Sequence, residues 1–252
     1  MGNTNILFKD TGLNERNNAA YKRNMKELAD AIRASEAEPD ALRALILKGL
    51  DTSDGRNHNP NHNSCDYKNS VNDRVTEKRI CRCMFYYNRP ATNSEQKIRC
   101  SECNFKARWE NISDYQIIDY EVPMNTVTQS VGGIDLILKS QGMDMLYAVE
   151  LKPPNSKETL VRMVAEILTY TNLLDHKVKI EGNEYNIQPA ICFFKYRHKL
   201  DDAGRYTDSS ENTVQWTDYL KWKGDVDFIT MMNSVTVFYL TVENSTFLIN
   251  KM

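Results

Sequence analysis

The chain has 252 residues, 26% of them charged and 41% hydrophobic, with a formal net charge of −2. That length supports one large or two small domains, and the near-balanced charge excludes a global pull toward nucleic acid or a membrane surface. No apolar run nears the roughly 20 residues of a membrane-spanning helix. The opening MGNTNILFKD lacks the build of a signal peptide and has Ile6 where myristoylation wants Ser or Thr. The expected setting is soluble, reducing and cytoplasmic, where six cysteines point to metal before disulfides.

In chain order, residues 14–34 predict a helix, with Tyr21, Met25, Leu28, Ala29 and Ile32 on one face. A second short helix is expected after Pro39, with Leu42, Leu45, Ile46 and Leu50 on its apolar side. Residues 51–72 are rich in Asn, Asp, Ser and His and read as loop or linker. A cysteine-rich segment occupies 80–109. Residues 115–123 alternate weakly, as a strand does. Strands 133–138 and 146–152 follow, and Pro153 and Pro154 stop the second of them. A helix is expected from Ser156, a candidate cap, to about residue 175, with Leu160, Met163, Val164, Ile167, Leu168, Thr171 and Leu174 as its apolar stripe. Next come a hairpin over 178–187, a buried strand over 188–195, a polar loop over 197–212, a short helix over 214–222, and closing strands over 235–242 and 246–250. Strand, helix and strand in succession imply a crossover onto a mixed sheet, an α/β (α+β) domain.

The chemistry concentrates in Gly133-Ile134-Asp135-Leu136-Ile137-Leu138 and Leu146-Tyr147-Ala148-Val149-Glu150-Leu151-Lys152. Glu150 and Lys152 lie two apart in a strand and point the same way, and Asp135 can approach Glu150 across the pair. Two carboxylates beside an ammonium are costly to hold partly buried. Such clusters commonly bind a divalent cation. The bland alternative is a surface salt-bridge ladder.

Asp135, fourteen intervening residues, then Glu150-Leu151-Lys152 resembles the PD-(D/E)xK nuclease superfamily. The likeness covers about residues 115–195. It implies a restriction-endonuclease-like mixed sheet flanked by helices. Asp135 and Glu150 would hold magnesium or manganese, and Lys152 would orient or activate the attacking water. Glu166-Ile167-Leu168-Thr169-Tyr170 is similar to the Gln-x-x-x-Tyr element of the RecB-type branch, so Glu166 and Tyr170 are expected to support the site. Glu at 166 cannot donate as a glutamine amide would, and pairing with Lys152 is its alternative. Ile134 stands where the superfamily often has proline. An extra acid from an early helix is unplaced among Glu27, Glu110 and Glu121.

Cys81-Arg82-Cys83 and Cys100-Ser101-Glu102-Cys103 are sixteen residues apart, which suits a tetrahedral structural zinc. The second pair looks like the knuckle of a zinc ribbon; the first is Cys-x-Cys, where ribbons usually show Cys-x-x-Cys. Cys65 is an alternative ligand, His58 and His62 read as solvent loop, and Cys192 reads as a small core residue. Between Arg74 and Arg108, nine basic residues face three acids. With the nearby aromatics this is a polyanion-contacting surface or a solvated basic face.

The expected organisation is therefore an N-terminal helical segment (1–55), a linker and zinc-ribbon-like module (56–110), and a PD-(D/E)xK nuclease-like domain (111–252). The leading expectation is a Mg-dependent nuclease that hydrolyses phosphodiester bonds, with DNA the favoured partner and no membrane. A non-catalytic zinc-ribbon binding module on a nuclease-like scaffold is the alternative. A homo-oligomeric interaction protein is a third reading.

Overall fold

Strand β5 (Met145–Lys152) is apolar on both faces, as a central strand must be. Tyr147, Val149 and Leu151 enter one hydrophobic core, and Leu146 and Ala148 enter the other. Glu150 and Lys152 continue the second face and are its only charged members on this strand.

A computed structural model describes residues 13, 15–38, 57–58, 76–88, 108–110, 115–123, 133–140, 145–174, 176–180, 183–200, 206–243 and 246–252. Before β5 lie α1 (Asn18–Ala37), β1 (Asn57–His58), α2 (Glu77–Asn88), β2 (Arg108–Glu110), β3 (Tyr115–Pro123) and β4 (Gly133–Ser140). After it come α3 (Leu160–Leu173), β6 (Lys177–Ile180), β7 (Asn183–Phe194), β8 (Tyr196–Leu200), β9 (Tyr206–Asn212), α4 (Val214–Trp222), α5 (Val226–Asn233), β10 (Thr236–Glu243) and β11 (Thr246–Lys251). Among the described residues, nine strands form one mixed sheet in the order β2-β11-β10-β7-β5-β4-β3, with β6 beside β7 and β1 beside β6. β5 and β7 are parallel neighbours joined through α3, which is the expected crossover. No helix among the described residues is long and apolar enough to cross a membrane.

Strand β7 is a single element where two were expected. Its first residues pair with β6 through Asn186, and its last pair with β10 from Ala190 onward. Pro189, registered with Ala148 of β5 on one side, falls on the other side in the interval between those two partners, where a missing N–H is tolerated.

Helices cover both faces. On one, Tyr21, Met25, Leu28 and Ile32 of α1 share a core with α3, α5 and the sheet. The N-terminal helix is thus part of the main core and not a segment apart. On the other, Ile80, Cys81, Met84 and Phe85 of α2 pack on Tyr120, Leu136 and Val149. Their spacing is that of an amphipathic helix. Residues 77–88 were expected inside a zinc ribbon, and the apolar stripe docked on the sheet explains the difference. Within the polar loop expected over 197–212, the described residues form an antiparallel ribbon of β8 and β9. Its polar residues hid it, although His198 and Tyr206 pack against Phe194 and each other. The helix expected after Pro39 lies outside the described residues.

Candidate active site

Three elements bring acids to one end of the β4–β5 pair. The ladder stops at Leu136↔Val149. Just beyond it, the Leu151 N–H donates to Asp135 Oδ2 at 2.6 Å, so the carboxylate takes the place of a ladder acceptor. Glu150 lies opposite. Glu77 arrives from the first turn of α2, where a carboxylate suits the positive end of the helix dipole. One oxygen from each of Glu77, Asp135 and Glu150 lies within 4.8 Å of the other two. Oxygens bound to one divalent ion, at about 2.0–2.1 Å for magnesium or 2.3–2.6 Å for calcium, lie at most about 4–5 Å apart, so these three are near the spacing a shared ion needs.

Lys152 threads through this group. Its Nζ is 3.1 Å from Glu77 Oε2, 3.6 Å from Glu158 Oε2 and in direct contact with Glu150 Oε1, and its side chain is only 7% exposed. Glu158 also receives the Arg162 Nε at 3.0 Å. Behind them on α3, the Tyr170 hydroxyl donates to Glu166 Oε1 at 2.9 Å. Glu166 was expected to support the site with Tyr170, or alternatively to pair with Lys152. Its hydrogen bond goes to Tyr170, and the ion pairs of Lys152 go to Glu77, Glu150 and Glu158.

Charge is not balanced. Glu77, Asp135, Glu150, Glu158 and Glu166 face Lys152 and Arg162. Burial pushes the Asp135 carboxyl well above the usual range; Glu150 and Glu77 push further, while Lys152 and the Leu151 amide oppose them. Burial likewise raises Glu150, with Lys152 opposing and Glu166 and Glu77 adding. Burial disfavours the Lys152 ammonium, but Glu150, Asp135, Glu77 and Glu166 outweigh it and hold the lysine protonated. Burial, then Glu166, keeps the Tyr170 phenol protonated. Among the described residues, Glu150 Oε2 and Glu166 Oε2 are buried and accept no hydrogen bond. Buried carboxylate oxygens without donors, in a pocket with excess negative charge, fit a hard divalent cation.

The structure thus brings Asp135, Glu150, Lys152, Glu166 and Tyr170 together and adds Glu77 and Glu158. Of the acids considered for the extra position, neither Glu27 nor Glu121 joins them. Glu27 is exposed on α1, Glu121 pairs with Lys78 and Arg82, and the side chain of Glu110 lies outside the described residues. The apolar spacing of residues 80–85 was the signal that could have marked a helix and led to Glu77.

The cysteines behave differently. On α2, positions 81 and 83 point about 200° apart. Cys81 is turned wholly into the core. A zinc knuckle needs both thiolates aimed at one point, so this helix does not present Cys81 and Cys83 as a ligand pair. Cys100, Cys103, Cys65 and His62 lie outside the described residues, as does the side chain of His58. Cys192 is a buried residue of β7, as expected.

No family model matches this chain, and no characterised protein or solved structure matches it at a significant level.

Proposed function

We propose that this protein is a divalent-metal-dependent nuclease that hydrolyses phosphodiester bonds, with DNA as the first substrate, on a restriction-endonuclease-like form of the mixed sheet. The observation that carries the reading is the convergence of Glu77, Asp135 and Glu150 around a buried, charged Lys152. Glu77, Asp135 and Glu150 would hold magnesium or manganese, which when bound supplies Lewis-acid polarisation of a phosphoryl oxygen and of water.

The remaining roles follow from the chain itself. Lys152 is kept protonated, so it cannot accept a proton from water at neutral pH. It can donate hydrogen bonds to the attacking water and to the charge that builds on phosphate oxygens. Glu158 and Glu77 aim its Nζ. Tyr170 fixes one oxygen of Glu166 and leaves the other buried without a donor.

The test is supercoiled plasmid incubated with the protein and magnesium or manganese. The wild type should nick or linearise it, chelation should stop the reaction, and Asp135→Ala or Lys152→Ala should lower the rate by at least about 10²–10³-fold. Salt-sensitive DNA binding with no cut product, unchanged in both variants, would replace this reading with that of a binding module.

A further inference from the structure

Strands β5 and β7 run parallel, so they end at the same rim of the sheet. Lys152 is registered with Phe193. Two residues beyond Phe193 stands Lys195, one strand over from Lys152 and about 7 Å further along. Its ammonium lies 5.0 Å from the ring centroid of Tyr196 and 5.0 Å from that of Trp216. Trp216 stacks on Tyr219 at 5.3 Å and meets Tyr239 at 5.3 Å. All four rings are half-buried, while Phe193 and Phe228 beneath them are wholly covered and complete the core. Trp216 thus packs on Phe193 and Tyr219 on Phe228, and the rings stay partly exposed beside a cation that lies over Tyr196 and Trp216.

This rim is rigidly tied to the acidic pocket. The Thr213 hydroxyl donates to the Phe194 carbonyl, fixing the start of α4 on β7. Gln215, fully buried, donates from Nε2 to the Glu158 carbonyl at 2.6 Å. Trp216 is thus one residue from the group that holds the Glu158 loop, and Glu158 reaches Lys152. The Lys195 N–H donates to the Leu240 carbonyl at 2.9 Å, which fixes the strand end that carries the cation.

From this juxtaposition we infer that Trp216, Tyr196 and Lys195 form a base-stacking platform for single-stranded nucleic acid leading into the acidic site. The inference rests on the nuclease reading and names its substrate class. A base inside a duplex has both faces covered by its neighbours, so only an unpaired base can use these rings. Lys195 supplies the phosphate contact that such platforms combine with stacking.

The experiment measures fluorescence anisotropy of labelled oligodeoxynucleotides, single-stranded and duplex, with calcium as the divalent ion. Trp216→Ala should weaken single-strand binding about fivefold or more and duplex binding by less than about twofold. In an abasic scan, the positions that cost the wild type affinity should cost Trp216→Ala nothing further. Lys195→Gln should lower the slope of affinity against salt by about one. Should Trp216→Ala fail to fold, Tyr196→Ala takes its place in the same scan. Equal single-strand affinity in a folded variant, or the same abasic penalty in both proteins, overturns the platform. A wild type that still cuts in that case leaves the nuclease reading standing. A wild type that neither cuts nor binds either form removes both.

Discussion

Two buried polar clusters sit among the described residues, and burial leaves a held charge in one of them and not in the other. At the rim of β4 and β5, several acids crowd one lysine; burial raises Asp135, Glu150 and Glu166, yet their combined field keeps the lysine charged. In the β8–β9 ribbon, His198 and Asp208 lie 3.8 Å apart among Phe194, Tyr206 and Phe247. There burial lowers the imidazole to about 4 and raises the carboxyl to about 6, so each moves toward its neutral form. A protein with no use for charge can shed it in this second way. The first cluster gathers more carboxyls than cationic side chains around a lysine that stays charged, which is the arrangement the proposed cation would complete.

The comparison breaks most visibly at Lys152. Replacing it by Met leaves Glu77, Asp135 and Glu150 without their ammonium. Removing one partner of a buried ion pair costs about 3–5 kcal/mol, and urea midpoints should show a loss of that size. Burial raises Asp135 and Glu150, so the penalty should grow as rising pH ionises them and shrink as they take up protons. Manganese should restore stability in Lys152→Met but not in Lys152→Met with Asp135→Ala. A Lys152→Met protein as stable as the wild type at pH 8 would show that the acids need no cation.

Much of the acidic centre is legible in residues alone because strand alternation is strict. Once 133–138 and 146–152 are strands, Asp135, Glu150 and Lys152 must share one end. Glu77 is not legible that way. It is 58 positions before Asp135, and only the docking of α2 brings it near. The dense cysteines drew residues 80–85 toward metal chemistry, although the helical spacing of Ile80, Cys81, Met84 and Phe85 was equally present. The β8–β9 ribbon was hidden because a two-stranded element with one packing face needs few apolar residues. Helix α5 was missed because its β-branched and aromatic residues are weak helix formers, and packing of Phe228 and Met231 overrides that preference.

The second cluster is sharpened by pH. His198 is about 6.5 unfolded and about 4 folded, so its contribution is intact above 6.5 and is lost as pH falls toward 4. Asp208 runs the other way: raised to about 6, it stabilises at low pH and loses that contribution as pH rises through 6. The two nearly offset in the wild type. His198→Phe removes only the first, while every other titrating group is common to both proteins. The stability difference, wild type minus variant, should therefore fall by about 3 kcal/mol between pH 6.5 and 4. Urea titrations at both pH values measure it, and a difference that stays constant would mean the imidazole charges in place.

The smallest effect concerns the loop that leads from Lys152 into α3. Ser156 was the expected cap, yet the helix begins at Leu160 with Thr159 as its N-cap. The Thr159 Oγ1 accepts from the Arg162 N–H at 3.3 Å and donates to the Leu13 carbonyl at 2.7 Å, fully buried. Ser156 instead accepts from the Glu158 N–H at 3.2 Å within the loop. Pro153 and Pro154 delay the helix, and the apolar stripe starting at Leu160 decides where it can begin. Thr159→Ala should cost about 1–2 kcal/mol, since it loses a cap and strands a buried carbonyl, and Thr159→Ser should recover most of it. Ser156→Ala should stay within about 0.5 kcal/mol. Equal losses at the two positions would put the start of α3 back at Ser156 and shift Glu158, and with it the aim of Lys152, into the helix.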